Sequence, residues 1–410
     1  MQQIYENNAA EGFPVFVLSV NYKCYGAVSE LDTALFIFVG QGESMSLQET
    51  IRRIRPPDEK AAAACRARWN RIAKPLYGLG VLEEMLVRTA AMQGSAEVEL
   101  EKKALVVFCA DNGVVAEGVS QTGQETTAIV AENFIDGKSC AAIMCRRAGA
   151  DLFPVDVGMA VDTPRVEKRK LRRGSANMAK GPAMTREEAL FAIGAGIRKA
   201  EELAEAGYRI LAGGEMGIGN TTTSSAITAV LLSADPASVT GAGAGLSAEG
   251  LRKKVSVIRK AIEVNRPDPE DPLDVLTKVG GFDIAALTGL FLGGAACRTP
   301  VVIDGFISAV AALLAARIAP ASREYMLPSH ISGEPAAEMV MNALGFGPEA
   351  KVRPVLHAGM HLGEGTGAVA LFPLLDMACD IYRQMETFEG IDVAQYEDYA
   401  AAENSESNHR

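Results

Sequence analysis

Neither apolar run near the start of the chain, FPVFVLSV (13–20) or ALFIFVG (34–40), reaches the roughly 18–20 residues of a membrane span. Asn21, Lys23, Glu30 and Asp32 break them, and no Lys or Arg precedes Lys23, so the start is a poor signal peptide. Basic blocks are also missing. Lys and Arg number 40 against 51 Asp and Glu, a net charge of −11, which makes nucleic acid and anionic membrane poor partners. No CxxC pair occurs among seven scattered cysteines (Cys24, Cys65, Cys109, Cys140, Cys145, Cys297, Cys379), so buried, reduced thiols of a cytoplasmic protein are expected. The four histidines (His330, His357, His361, His409) form no HExxH motif. The glycine loops lack the GK[ST] ending of a Walker loop and the GxGxxG spacing of a dinucleotide loop, and no serine sits in a GxSxG elbow.

What is present is a 48% hydrophobic, 22% charged chain with 40 glycines clustered between apolar runs. That composition is globular, and the glycine clusters read as turns and ligand loops. Residues 1–44 are expected to be an N-terminal extension, disordered or a start-site artefact, before a more ordinary beginning at Met45. KALVVFCADNGVV (103–115), DLFPVDVGM (151–159), YRILAGGEMGIGNTTTSSAITAVLL (208–232) and CRTPVVIDGFISAVAALLAARIA (297–319) each carry a strand into a polar or glycine-rich loop. TREEALFAIGAGIRKAEELAEAG (185–207) is a helix with a Thr N-cap and a closing Gly. VEKRKLRRGSANMAKG (166–181) reads as an exposed basic excursion, and 386–410 as an acidic, frayed tail. Strand–loop–helix units at this spacing predict a three-layer α/β/α domain with a mainly parallel sheet of about six strands, Rossmann-like. A small helical domain from both chain ends is added: 45–100 and 351–410 flank the large domain at 101–350. Ligands of such sheets bind beyond the carboxyl ends of the strands.

Three loops there carry candidate chemistry. Gly213–Thr223 contains Glu215, Gly217, Asn220 and Thr221, and opens a helix whose N-terminus suits an anion. Glu215 is unfavourable beside phosphate and is expected to face another part of the substrate; a tight turn that binds nothing is the alternative. Gly241–Leu246, with Gly243, precedes a helix carrying Lys254, which is either a phosphate cation or a solvated helix lysine. His361–Ala368 holds Glu364 between two glycines, either as a general base with proton affinity raised by desolvation or as a helix cap. Asp111, Asn112, Asp304, Ser329, His330 and Ser332 also fall at strand ends, where turn or cap roles compete with function.

Taken together, IRPPDEKAAAACRARWNRIAKP, CADNGVVAEGVS, GGEMGIGNTT, NRPDPEDPLDVLTKVGGFDIAALTG, VVIDGF, PSHIS and HLGEGTGA resemble the nicotinate-nucleotide–dimethylbenzimidazole phosphoribosyltransferase family, in order from about Met45 to Met385. The resemblance implies transfer of phosphoribose from nicotinate mononucleotide to dimethylbenzimidazole, with inversion at C1′, in the synthesis of the cobalamin nucleotide loop. It implies Glu364 as the base and Glu215 near the reacting ribose. Phosphate and substrate contacts map onto Gly217, Asn220, Thr221, Gly243, Lys254, Asp304 and Ser332, and the base pocket onto Thr122 and Leu362. A cytoplasmic homodimer without cofactor or metal is implied. KPLYGLG (74–80), His361 and Asn112 depart from the family pattern and bear on which base is accepted. A non-catalytic nucleotide-binding protein and a transferase for adenine or a phenol are the rival readings.

Overall fold

The computed structural model describes residues 46–397 apart from Ala244, so the expected extension at 1–44 and the last part of the tail lie outside the described residues. Helices α1 (Leu47–Arg53), α2 (Glu59–Arg71) and α3 (Val81–Gln93) lead into strand β1 (Lys103–Ala110). Helices α4 (Glu125–Ile135) and α5 (Cys140–Ala148) cross to β2 (Ala150–Gly158) and a short β3 (Glu167–Lys168). The chain then returns through α6 (Arg186–Glu205) to β4 (Ile210–Met216). Four helices, α7 (Asn220–Leu231), α8 (Ala248–Asn265), α9 (Pro272–Val279) and α10 (Phe282–Ala296), precede β5 (Val301–Ile303). Last come α11 (Phe306–Ile318), β6 (Met326–Pro328), α12 (Ala337–Ala343) and α13 (Thr366–Gln384).

The six strands pair in the order β3-β2-β1-β4-β5-β6, and every pairing is parallel. All eight residues of β1 are buried, as expected of a parallel strand covered on both faces. The chain leaves β1 to one side and later returns on its other side at β4, so the crevice between them is the topological switch point. Gly213 of β4 faces Leu287 and Leu290 of α10, while Gly214 faces the turn that opens α13. Helix α10 is buried along its whole length, as a helix apolar on every face apart from Asp283 and Thr288 requires. A capping box between Thr185 and Glu188 starts α6. From Leu47 the described chain forms one compact unit. Helices α2 and α13, from opposite ends of the described chain, meet: Arg68 donates to the carbonyls of Tyr382 and Arg383, and the Trp69 ring centroid lies 5.0 Å from that of Tyr382.

Two expectations are corrected. The basic stretch at 166–181, expected as an exposed excursion, is only partly exposed, and Arg169 pairs with Glu167 and Glu202, Lys170 with Asp156 and Asp162, Arg172 with Glu188, and Arg173 with Asp162. These charges hold the excursion down. The cysteines are free thiols among the described residues, but Cys140 is exposed and Cys297 half-buried. Cys140 opens α5, so its outward side lacks a covering element.

Candidate active site

The carboxyl ends of β1, β4, β5 and β6 deliver Asp111, Glu215, Asp304 and Ser329 to one edge of the sheet. Glu364 joins them from the turn before α13. Three successive residues there, Gly363, Glu364 and Gly365, have φ of 84°, 60° and 80°. Left-handed backbone at a glutamate costs roughly 1–2 kcal/mol, so something must hold it. Asp304 does. Its Oδ1 accepts from the amides of Gly367 and Ala368 at 2.7 and 3.0 Å, and its Oδ2 from that of Gly365 at 3.1 Å. This carboxylate caps the positive end of α13 and fixes the turn in one stroke.

The turn lies hard against β4. A Cβ on Gly214 would come within 2.8 Å of the Glu364 carbonyl carbon and oxygen, and a Cβ on Gly363 within 2.5 Å of Glu215 Oε1. Both positions therefore require glycine, and the two glutamates share one cleft wall. Glu364 is half-buried, and its Oε2 is buried without a hydrogen-bond partner among the described residues. Burial raises its carboxyl above the ordinary range, opposed by the Ala141 backbone N–H and helped by the Asp304 charge. Glu215 is almost wholly buried, and burial, helped by the charge of Asp283, pushes it up to about 8. Asp283, fully buried at the start of α10, rises to about 6 for the same first reason. A protonated, neutral Glu215 is therefore the prevailing form near pH 7.

A second cluster faces this one across the N-terminus of α7. Lys254, only 1% exposed, donates to Thr221 Oγ1 at 2.8 Å and to the Gly241 carbonyl at 3.0 Å. A Cβ on Gly243 would lie 3.0 Å from Thr221 Oγ1 and 3.4 Å from Lys254 Nζ, so these three of the expected contacts converge. Ser332 joins them through Glu334, which donates its amide to Ser332 Oγ and packs its carboxylate against Gly241. Burial lowers Lys254 to about 8, with Glu334 opposing.

Other expected residues sit differently. The Asn220 side chain is not free for phosphate, because its Nδ2 donates to Glu215 Oε2 and, at 3.0 Å, to Asp283 Oδ2. Asp304 is likewise engaged by three amides, which makes it the organiser of the turn that carries Glu364. A Cβ on Gly217 would run into Asp283 Oδ2 and the Ala110 carbonyl, which places Gly217 against the acid cluster, in the loop that leads to the start of α7. Leu362 is exposed beside Gly363. Thr122 is exposed too, next to Gln121, whose amide bonds the Gly245 carbonyl; its segment is tied to the phosphate side. Sequence reasoning missed Asp283 as a site residue, although it stands in the KVGGFD stretch. The signal available was an acid at the first turn of a helix that is apolar but for Thr288.

The family model for a phosphoribosyltransferase matches residues 54–393, which makes the chain a phosphoribosyltransferase. Among curated relatives, the nicotinate-nucleotide–dimethylbenzimidazole phosphoribosyltransferase of Acetivibrio thermocellus is 47% identical over 332 residues, 80% of this chain and 93% of that protein. The enzyme of the same description from Ruminiclostridium cellulolyticum is 46% identical over 354 residues, 86% of this chain and 99% of its own length. A solved structure of the Thermus thermophilus enzyme matches with a TM-score of 0.76 and 40% identity, covering 83% of this chain and 100% of that one. The chain belongs to the nicotinate-nucleotide–dimethylbenzimidazole phosphoribosyltransferase family.

Proposed function

We propose that the protein transfers the phosphoribosyl group of nicotinate mononucleotide to 5,6-dimethylbenzimidazole or a related base, yielding nicotinate and α-ribazole 5′-phosphate for the cobalamin lower ligand. The observation that carries this reading is the unpartnered Oε2 of Glu364, held by a strained turn over the same strand ends as Glu215. The Lys254–Thr221–Gly243–Ser332 cluster offers a cation, hydroxyls and backbone for a phosphate, in line with binding at a helix N-terminus. With the phosphate there, the ribose lies along the loop at Gly217 and presents C1′ toward the carboxylates.

The chemistry then balances. One ring nitrogen of the benzimidazole attacks C1′ with its lone pair as the bond to nicotinate breaks, and that electron pair returns to the pyridine nitrogen. The other ring nitrogen gives its proton to Glu364, whose raised proton affinity suits a base working near neutrality. Attack opposite the leaving group turns a β-nucleotide into an α-ribotide. Glu215 faces the ribose, where the cationic pyridinium of the bound donor favours its ionised form and relieves the positive charge that develops at C1′. Homodimerisation and a cytoplasmic location belong to the same proposal; among the described residues no helix is long and apolar enough to cross a membrane.

The test is direct. Purified protein incubated with nicotinate mononucleotide and dimethylbenzimidazole should release nicotinate and α-ribazole phosphate in equal amounts, resolved by chromatography and assigned as the α-anomer by NMR. Binding of both substrates without turnover would overturn the enzyme reading in favour of a nucleotide-binding protein. Faster turnover with adenine or a phenol in direct competition would reassign the acceptor.

A further inference from the structure

We propose that Asp283 is a positioning residue for the transfer, acting on Glu215 through Asn220; this rests on the reaction proposed above. The bridge is a single nitrogen. Asn220 Nδ2 donates one hydrogen to Glu215 Oε2 and the other to Asp283 Oδ2 at 3.0 Å, and all three side chains are buried. An amide used this way fixes the plane and rotamer of each carboxylate it touches. Glu215 Oε2 is thereby engaged, which leaves Oε1, the atom against Gly363, as the oxygen turned toward the cleft.

Asp283 itself has no freedom to drift. Its Oδ1 accepts from the Ile284 amide at 3.0 Å, and the loops on either side close on it. A Cβ on Gly281 would meet Asp283 Oδ1 at 2.6 Å, and one on Gly217 would run into Oδ2. Asp283 thus fills the gap between the loop that opens α10 and the loop that opens α7. A neutral residue of the same shape would fill that gap equally well. A carboxylate does two further things: it accepts from Asn220, so the amide cannot flip its oxygen toward Glu215, and it sets a negative charge behind Glu215 that resists a second one. Asp283 touches neither the cleft nor the substrate proposed to fill it, so its influence passes through Asn220 and through the field.

The experiment compares Asp283→Asn with the unsubstituted chain, each checked for folding by circular dichroism and thermal melting. Activity of the unsubstituted chain on nicotinate mononucleotide and dimethylbenzimidazole tests the reaction itself; its absence would sink that reading and not this one alone. For Asp283→Asn the expected result is kcat lower by about 10–100-fold, the scale of a misaligned catalytic group. The KM for nicotinate mononucleotide should stay within about threefold, since the phosphate cluster is untouched. The limb of the kcat–pH profile that reports Glu215 should move to lower pH, because a like charge has been removed. Asp283→Glu, which keeps the charge, should lose rate while leaving that limb in place. An unchanged profile in Asp283→Asn, or a rate loss matched by the loss of folded protein, overturns the proposal. Failure of both variants to fold overturns it too, making Asp283 a folding residue.

Discussion

The two halves of the site are built from opposite charges by the same physical device. On one side Glu215, Asp283, Asp304 and Glu364 are packed together at the strand ends, and burial raises all four carboxyls. On the other, burial drives Lys254 down to about 8. Desolvation penalises charge of either sign, so each half is held closer to neutral than its composition suggests. A phosphate and a pyridinium are the charges that would return each half to its ionised state. The substrate proposed for this site carries both.

The comparison breaks most cleanly at Glu364. Glu364→Gln keeps the shape and removes the proton acceptor, and kcat should fall by roughly 10²–10⁴-fold, the usual range for a general base. Substrate binding on the phosphate side should be unaffected. Equal losses in kcat and in nicotinate mononucleotide affinity, measured by steady-state kinetics and calorimetry, would mean that the halves do not work separately.

Asp304→Asn is expected to have the next largest effect, because it leaves Glu364 in place and removes its support. An amide oxygen accepts less strongly than a carboxylate, and only one of the two terminal atoms can still accept from the amides of Gly365, Gly367 and Ala368. The strained turn should relax, with kcat down by about 10–100-fold and the midpoint of thermal unfolding lowered. Full activity in a stable Asp304→Asn variant would refute the anchoring role.

On the other half, Lys254→Met preserves the buried aliphatic volume and deletes the cation. The expected result is a KM for nicotinate mononucleotide raised by about 10–100-fold, the equivalent of one charge-assisted hydrogen bond, with a smaller change in kcat. The same measurement on the unsubstituted chain should show KM rising above about pH 8, as Lys254 loses its proton. A KM that stays flat well above that pH would place the phosphate elsewhere.

How much of this could be read from the residues differs between the halves. Gly243, Lys254 and Thr221 were legible because a glycine turn, a helix start and a single cation have local signatures. The parallel sheet was legible for a similar reason: fully apolar runs such as that of β1 leave few alternatives. What stayed hidden was how side chains spend their hydrogen bonds. Asn220 and Asp304 look like ligand residues in sequence, and only tertiary contact shows one bridging two acids and the other capping α13. Asp283 stood out only as an acid in an apolar helix, and its role was hidden for the converse reason, since its partner Asn220 lies 63 positions away in a separate loop. The thread of arginine ion pairs across 166–181 was hidden likewise, because composition reports charge and not pairing.

The last effect, read on the folding equilibrium and not on turnover, is on stability against pH, where the halves should pull in opposite directions. A carboxyl that titrates near 4.5 unfolded and about 8 folded binds a proton in the native state that the unfolded chain has released. Stability therefore falls as pH rises across that window, by at most about 1.4 kcal/mol per pH unit for one group. Asp283, at about 6, adds to the lower part of the same fall. Lys254 does the reverse: between about 8 and its ordinary 10.5 the unfolded chain holds the extra proton, so its contribution improves with rising pH. The slopes meet near pH 8, where the substrate-free site is least comfortable. Melting curves from about pH 5 to about pH 10 should show the unsubstituted chain losing stability toward pH 8 relative to Glu215→Gln, with the gap widening steadily across the acid half of that range. Lys254→Met should remove the recovery above pH 8 while leaving the fall below it. If Glu215→Gln tracks the unsubstituted chain at every pH, Glu215 is ionised throughout, and the acid half is charged before any substrate arrives.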